Sequence, residues 1–116
     1  MSQPCSLLEL LLVDARDLGV SEAREMLALA VSRSIPHGAL SLGRENTALL
    51  TGDDLLDFWL VSESEEWPFE RAAAFTGVEQ ARTLFVSTHP LARQQAMSVG
   101  VTASAPDVDF MERLLP

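Results

Sequence analysis

The chain has 116 residues, a formal net charge of −9 and 47% apolar residues. That length and apolar content predict one domain over residues 1–116, with a core that needs neither metal nor disulfide. All eight basic residues are arginine, as in coding from a GC-rich bacterial genome, and without lysine there can be no Schiff-base chemistry, lysine general base or P-loop lysine.

The negative charge opposes binding to nucleic-acid phosphates and suits a basic protein partner. The single Cys5 has no internal disulfide partner, and one thiol with two distant histidines does not make a zinc site. The apolar run 7–13 contains Glu9 and is shorter than the ~20 residues that span a bilayer. It also lacks the flanks of a signal peptide. The expectation is a cytoplasmic protein that meets neither membrane nor nucleic acid and uses no cofactor or metal. The oligomeric state is left open.

Residues 7–13 form an apolar run that suits a buried strand. Ser21 caps a helix over 21–33, with Glu22 and Glu25 in its first turn. Ala23, Met26, Leu27, Ala30 and Val31 make its apolar face, and Pro36 stops it. Residues 39–42 alternate as a second strand, and 43–46 (GREN) read as a turn. The sequence Thr51-Gly52-Asp53-Asp54 looks like a helix start leading into Leu55, Leu56 and Phe58, although 58–61 (FWLV) is also a buried-strand run. Pro68 opens a helix over 70–75. Thr76 and Glu79 have the spacing of a capping box, which predicts another short helix. Residues 83–88 (TLFVST) form the clearest strand. After His89-Pro90 a helix runs over 91–99 to Gly100, and a last helix covers 108–115. This order predicts an α/β domain with a mainly parallel sheet and flanking helices, with α+β as the alternative.

In this order, LLLVDA, DFWLVSES, TLFVST, LARQQAMSVG and VDFMERLL, the chain resembles the flavodoxin-like class that includes response-regulator receiver domains. The resemblance implies a flavodoxin-like fold. Of the receiver's acidic pair only Asp14 matches, followed by Ala15, with Asp17 out of register. Ser62 and Glu63 stand where the phosphoacceptor aspartate belongs. Ser87 or Thr88 matches the receiver's hydroxyl, and its lysine is missing. The resemblance therefore implies a domain that is not phosphorylated and acts by binding. From Thr47 onward the chain is also similar to the C-terminal part of uroporphyrinogen-III synthase, through ALLTGDDLLDFW, FVSTHPLARQQAMSVG and DVDFMERLL. That family works across a cleft between two domains, so this chain would supply half of it.

Three constellations carry possible chemistry. Asp53, Asp54 and Asp57 spell DDxxD, a cation–diphosphate pattern of large helical enzymes; here it reads as a helix N-terminus with Asp57 solvated. His37 and His89, each beside a proline, are expected at loop–helix junctions. Ser87, Thr88 and His89 precede a helix whose free N–H groups can bind an anion. No catalytic residue is assigned. The densest feature is the acidic, aromatic block 53–70. Within it Glu63, Glu65, Glu66, Trp67, Phe69 and Glu70 are expected to form a partner-binding surface, with Trp67 the more exposed tryptophan and 58–61 in the core. The reading is a non-enzymatic binding or regulatory domain, either a degenerate receiver-like adaptor or a toxin-neutralising protein. The alternative is a small enzyme, or half of one, related to uroporphyrinogen-III synthase, with an anionic ligand near residues 87–91.

Overall fold

In the computed structural model, which describes residues 8–45 and 47–115, five strands make one wholly parallel sheet. The strands are β1 (Leu10–Asp14), β2 (His37–Leu42), β3 (Phe58–Ser62), β4 (Thr83–Val86) and β5 (Thr102–Ser104). The helices are α1 (Ser21–Ser32), α2 (Thr47–Thr51), α3 (Phe69–Thr76), α4 (Pro90–Ser98) and α5 (Val108–Leu114). Cys5 lies outside the described residues.

The strand order is β3-β2-β1-β4-β5. From β1 the sheet grows one way through β2 and β3, and the chain then returns to place β4 on the other side of β1. Right-handed crossovers put the helices of these two halves on opposite faces. The packing follows that rule. Leu11, Val13, Leu84 and Val86 face α1 and α5 through Met26, Leu27, Ala30 and Met111. Leu10, Leu12, Leu40 and Phe85 face α3 and α4 through Phe69, Ala72, Ala92 and Ala96. Because successive strand residues point to opposite faces, a central parallel strand must be apolar throughout, and β1 (LLLVD) is buried along its whole length. This bears out the α/β, flavodoxin-like expectation. The strand order matches the first five strands of the doubly wound order 3-2-1-4-5-6.

Several local expectations are corrected. The segment after Thr51 is not a helix start: α2 ends there, a turn follows, and β3 begins at Phe58. Asp53 accepts from Leu55 N at 3.0 Å and pairs with Arg24, so its carboxylate closes a turn. β3 is an edge strand, and Trp59 on it is 40% exposed, so 58–61 is not simply core. Thr76 caps no new helix. It is the last residue of α3, its hydroxyl donates to Ala72 O and accepts from Val78 N, and only a 3-10 turn (Gln80–Arg82) follows. β5 is three residues of small and hydroxylated type, which gave no strand signal. His37 opens β2 instead of flanking a helix. It is buried, its Nδ1 lies 2.8 Å from Ile35 O, and its Nε2 meets Leu55 O. Gly38 follows because the Phe58 ring sits 2.6 Å from where a Cβ would be. No described helix is long and apolar enough to cross a membrane.

Candidate functional site

β1 and β4 are neighbours, with Leu12 opposite Phe85 and Val13 opposite Val86. The next residue on each strand is polar, so Asp14 and Ser87 come side by side although 73 positions separate them. This is where the sheet reverses its winding. In open α/β sheets the crevice outside the carboxyl ends at such a point is where ligands bind.

Asp14 is 1% exposed. A buried carboxylate must have its acceptor positions filled, and here they are. Oδ1 accepts from Arg16 N and Nε, each at 3.0 Å, and Oδ2 accepts from Arg16 Nη2 at 2.7 Å and Ser87 Oγ at 2.8 Å. The backbone contact makes Asp14 the cap of a 3-10 turn over Ala15–Asp17. At three residues per turn, positions i and i+3 eclipse, so the turn brings Asp17 round beside Asp14. Asp17 is also buried, and it accepts from Thr88 N at 2.8 Å and Thr88 Oγ1 at 2.7 Å. Its Oδ1 lies 3.9 Å from His89 Nε2.

Each buried acid thus holds a half-exposed basic side chain at the mouth. The Arg16 side chain is 42% exposed over Asp14, and that of His89 is 43% exposed over Asp17. The hydrogen bond to Asp14 is the main cause that raises the Arg16 guanidinium above its ordinary value, with the charges of Asp14 and Asp17 adding to it against partial burial. A raised value means that its contribution to stability is lost only as pH climbs through that value, far into the alkaline range. Arg16 is cationic throughout the working range. Ser87 Oγ also accepts from His89 N at 3.0 Å, and Arg93 donates to Ser87 O at 2.8 Å, which adds a second guanidinium. His89 is the N-cap of α4, and Pro90 follows at the first helical position. The helix N-terminus therefore faces the same crevice and favours negative charge there.

Asp14, Asp17 and His89 offer ligand atoms within 4.8 Å of one another, a spacing that suggests a cation site. The donor set does not fit one. A carboxylate has about four lone-pair positions, and all four on Asp14 are occupied, two of them by guanidinium nitrogens. A cation there would also sit against the Arg16 charge. The arrangement suits an anion at the mouth, facing Arg16, His89 and the start of α4.

Beside this crevice, about 480 Å³ of cavity opens between the N-terminal end of α3 and the later half of α4. Trp67 links the two. Its ring lies 5.7 Å beneath the Arg16 guanidinium carbon, a cation–π distance, and it also lines the cavity. The indole donates to Gln95 Oε1 at 2.9 Å and packs edge-on against Phe85 at 5.2 Å.

The anion-binding expectation at Ser87, Thr88 and His89 falls within this crevice. Sequence reasoning missed Asp14, Arg16 and Asp17 as site residues. Their signal was an acid ending an apolar strand with a second acid three residues on, which looks out of register until the chain turns as a 3-10 helix. Of the block expected to bind a partner, Glu65, Glu66, Trp67, Phe69 and Glu70 line this cavity, and Glu63 lies apart. Phe69 is buried in the core, and Trp67 is less exposed than Trp59, against expectation. Glu63 pairs with Arg44 at the surface, while Glu65, Glu66 and Glu70 are exposed around the cavity. Nor do the DDxxD acids converge: Asp53 turns to Arg24, and Asp57 to His37.

No family model and no curated protein matches the chain. Among solved structures, an uncharacterized protein from Corynebacterium glutamicum is similar in fold, with TM-score 0.71, 18% identity, and coverage of 92% of this chain and 95% of that one. The core domain of a candidate phosphoglycolate phosphatase from Streptococcus pneumoniae is similar at TM-score 0.60 and 18% identity, covering 89% of this chain and 79% of that one. The expected non-enzymatic adaptor is corrected by this finding. The fold is shared with the core domain of a candidate phosphatase, and Phe69 of the expected contact surface lies in the core.

Proposed function

We propose that the chain is an enzyme that binds and hydrolyses a small phosphate monoester at the carboxyl ends of β1 and β4, working in the cytoplasm. One observation carries the reading: two buried acids at the switch point, Asp14 and Asp17, each present a half-exposed basic side chain, Arg16 and His89. Such pairing of a buried orienting carboxylate with an accessible base is how a general base is held in register. The fold shared with the core domain of a candidate phosphoglycolate phosphatase supports it, and the single cysteine suits a reducing compartment.

In this reading Arg16 and the first turn of α4 hold the phosphoryl oxygens, because a preorganised fork of donors stabilises the charge that builds there. His89 takes a proton from the attacking water as the water oxygen bonds to phosphorus. The ester oxygen leaves and receives that proton, so that an alcohol and inorganic phosphate are formed. Asp14 and Asp17 are positioning residues. They orient Arg16 and His89 and do not meet the substrate themselves.

The test is phosphate release from a panel of small monoesters by the purified protein. His89→Ala is expected to lower kcat by about 10²-fold or more, while Asp17→Asn lowers it less and shifts its pH profile. Absence of phosphate release from every monoester, or an unchanged rate in the Arg16→Ala/His89→Ala double variant, would overturn the assignment.

A further inference from the structure

We infer that Arg93 makes the crevice selective for doubly charged phosphate, so that its substrates are monoesters and not diesters. The inference rests on the phosphate reading above and names the residue that sets its substrate class.

The charge balance of the crevice shows why a further cation is needed. Asp14 and Arg16 cancel. His89 cancels Asp17 only while it carries a proton, and a general base must be without that proton when it activates water. The charge of Glu45 also reaches Arg16. Without Arg93 the crevice is therefore net negative as the reaction begins, in a chain already at −9, and would repel the anion it is to hold. A phosphate monoester brings about two negative charges, and a diester about one. The monoester is the more strongly repelled unless a surplus cation is present.

Arg93 is placed to reverse that balance, with Ser87 as the pivot. The Ser87 hydroxyl donates to Asp14 Oδ2, the atom that also accepts from Arg16 Nη2. Its N–H donates to Ser104 O of β5 at 3.0 Å, and its carbonyl accepts from Arg93 Nη1 at 2.8 Å. Arg16 thus approaches Ser87 from β1 and Arg93 from α4, while the His89 N–H is bonded to the same hydroxyl. A guanidinium has five N–H donors, and the bond to Ser87 uses one of those on Arg93. No ion pair among the described residues includes Arg93. Arg33 has no carboxylate partner either, but it is exposed between α1 and β2, at the amino ends of the strands. Arg93 is half-buried and anchored at their carboxyl ends. Its charge is uncancelled and most of its donors are free, which is what a fork needs to take phosphate oxygens.

The matched probes are methyl phosphate and dimethyl phosphate, titrated into ¹⁵N-labelled protein at about pH 8, above the second ionisation of a monoester at about pH 6. Methyl phosphate is expected to move the Thr88 and His89 amides saturably and to bind at least about tenfold tighter than dimethyl phosphate. Arg93→Met keeps most of the side-chain stem and is expected to cut that preference to about twofold or less. Arg93→Lys, which restores the charge, is expected to keep most of the preference, and Arg33→Met to leave it unchanged. Absence of binding, equal binding of the two esters by the parent, or a preference that survives Arg93→Met overturns the assignment. If the preference depends on Arg93 and yet no monoester is hydrolysed, the hydrolysis reading fails and the selectivity stands. If monoesters are hydrolysed while Arg93→Met leaves their kcat/KM unchanged, hydrolysis stands and the role of Arg93 is overturned.

Discussion

Residues 53–70 and the ends of β1 and β4 concentrate the chemistry of this molecule, and they are assembled on opposite plans. In the first region the acids are neighbours in sequence, and folding sends three of them to separate partners while Glu65, Glu66 and Glu70 stay around one cavity. Asp53 closes a turn on Arg24, Asp57 meets His37, Glu63 pairs with Arg44, and Phe69 enters the core. In the second, Asp14 and Asp17 sit more than 70 positions from Ser87 and Thr88, and folding brings them within 3 Å. Density along the chain measures what is close before folding. The parallel sheet brings together what lies at the same level of adjacent strands, and at a switch point those levels belong to distant segments.

The two regions touch at Phe85, and changing it is the harshest way to break the comparison. Phe85 is wholly buried on β4, two residues before Ser87, with the rings of Trp67 and Phe69 edge-on against it at 5.2 and 5.1 Å. Phe85→Ala is expected to cost about 3–5 kcal/mol in urea unfolding and to weaken phosphate binding as well. A loss below about 1 kcal/mol would mean that the ring is not the shared support.

The tryptophans sharpen it next. Trp67 packs on two core rings and donates to Gln95, whereas Trp59 lies on the open edge of β3 at 40% exposure. Trp67→Ala is expected to cost about 2 kcal/mol and Trp59→Ala less than about 1. An aqueous fluorescence quencher should reach Trp59 first. The reverse order would restore the picture of Trp67 as an exposed contact.

Arg16→Ala follows, at about 1–2 kcal/mol, because it strips two of the four donors from a buried carboxylate. The backbone donor survives the substitution and the Arg16 side chain is itself 42% exposed, so the full penalty of an orphaned buried charge is not reached. Asp14→Asn/Arg16→Ala should recover part of the loss, since it removes the charge with its partner. A double variant worse than Arg16→Ala alone would contradict the pairing.

How much of this was legible in the sequence depends on the range of the forces involved. β1 and β4, with their apolar runs, and α1 and α4, with their starts at Ser21 and Pro90, are set by local pattern and lie where periodicity predicts, although Val20 and not Ser21 is the N-cap of α1. β5 did not announce itself, because Thr102–Ser104 has no large side chain and becomes a strand only by pairing with β4. The turn at 53–57 looked like a helix start because Asp beside Gly suits both, and only the tertiary contact with Arg24 decides between them. In the site, Ser87, Thr88 and His89 were visible as polar residues ahead of a helix. Asp14 and Asp17 were seen as acids near a strand end. Nothing local places them against Ser87 and Thr88, since the β1–β4 register is a long-range fact.

The gentlest change separates the two plans most cleanly. Glu63 pairs with Arg44, and both side chains are largely exposed; Glu65 and Glu66 are exposed as well. Exposed ion pairs contribute little because water and salt screen them while two long side chains lose freedom. Glu63→Gln/Glu65→Gln/Glu66→Gln is therefore expected to leave unfolding free energy within about 0.5 kcal/mol of the parent. A slight gain is expected at low salt, as three negative charges leave a chain of net charge −9. Phosphate binding should persist, because none of the three touches Asp14, Arg16, Asp17 or His89. If neutralising these exposed acids costs as much as Arg16→Ala, the block is a structural unit in its own right. The contrast between dispersed and converging acids would then fail at its weaker end.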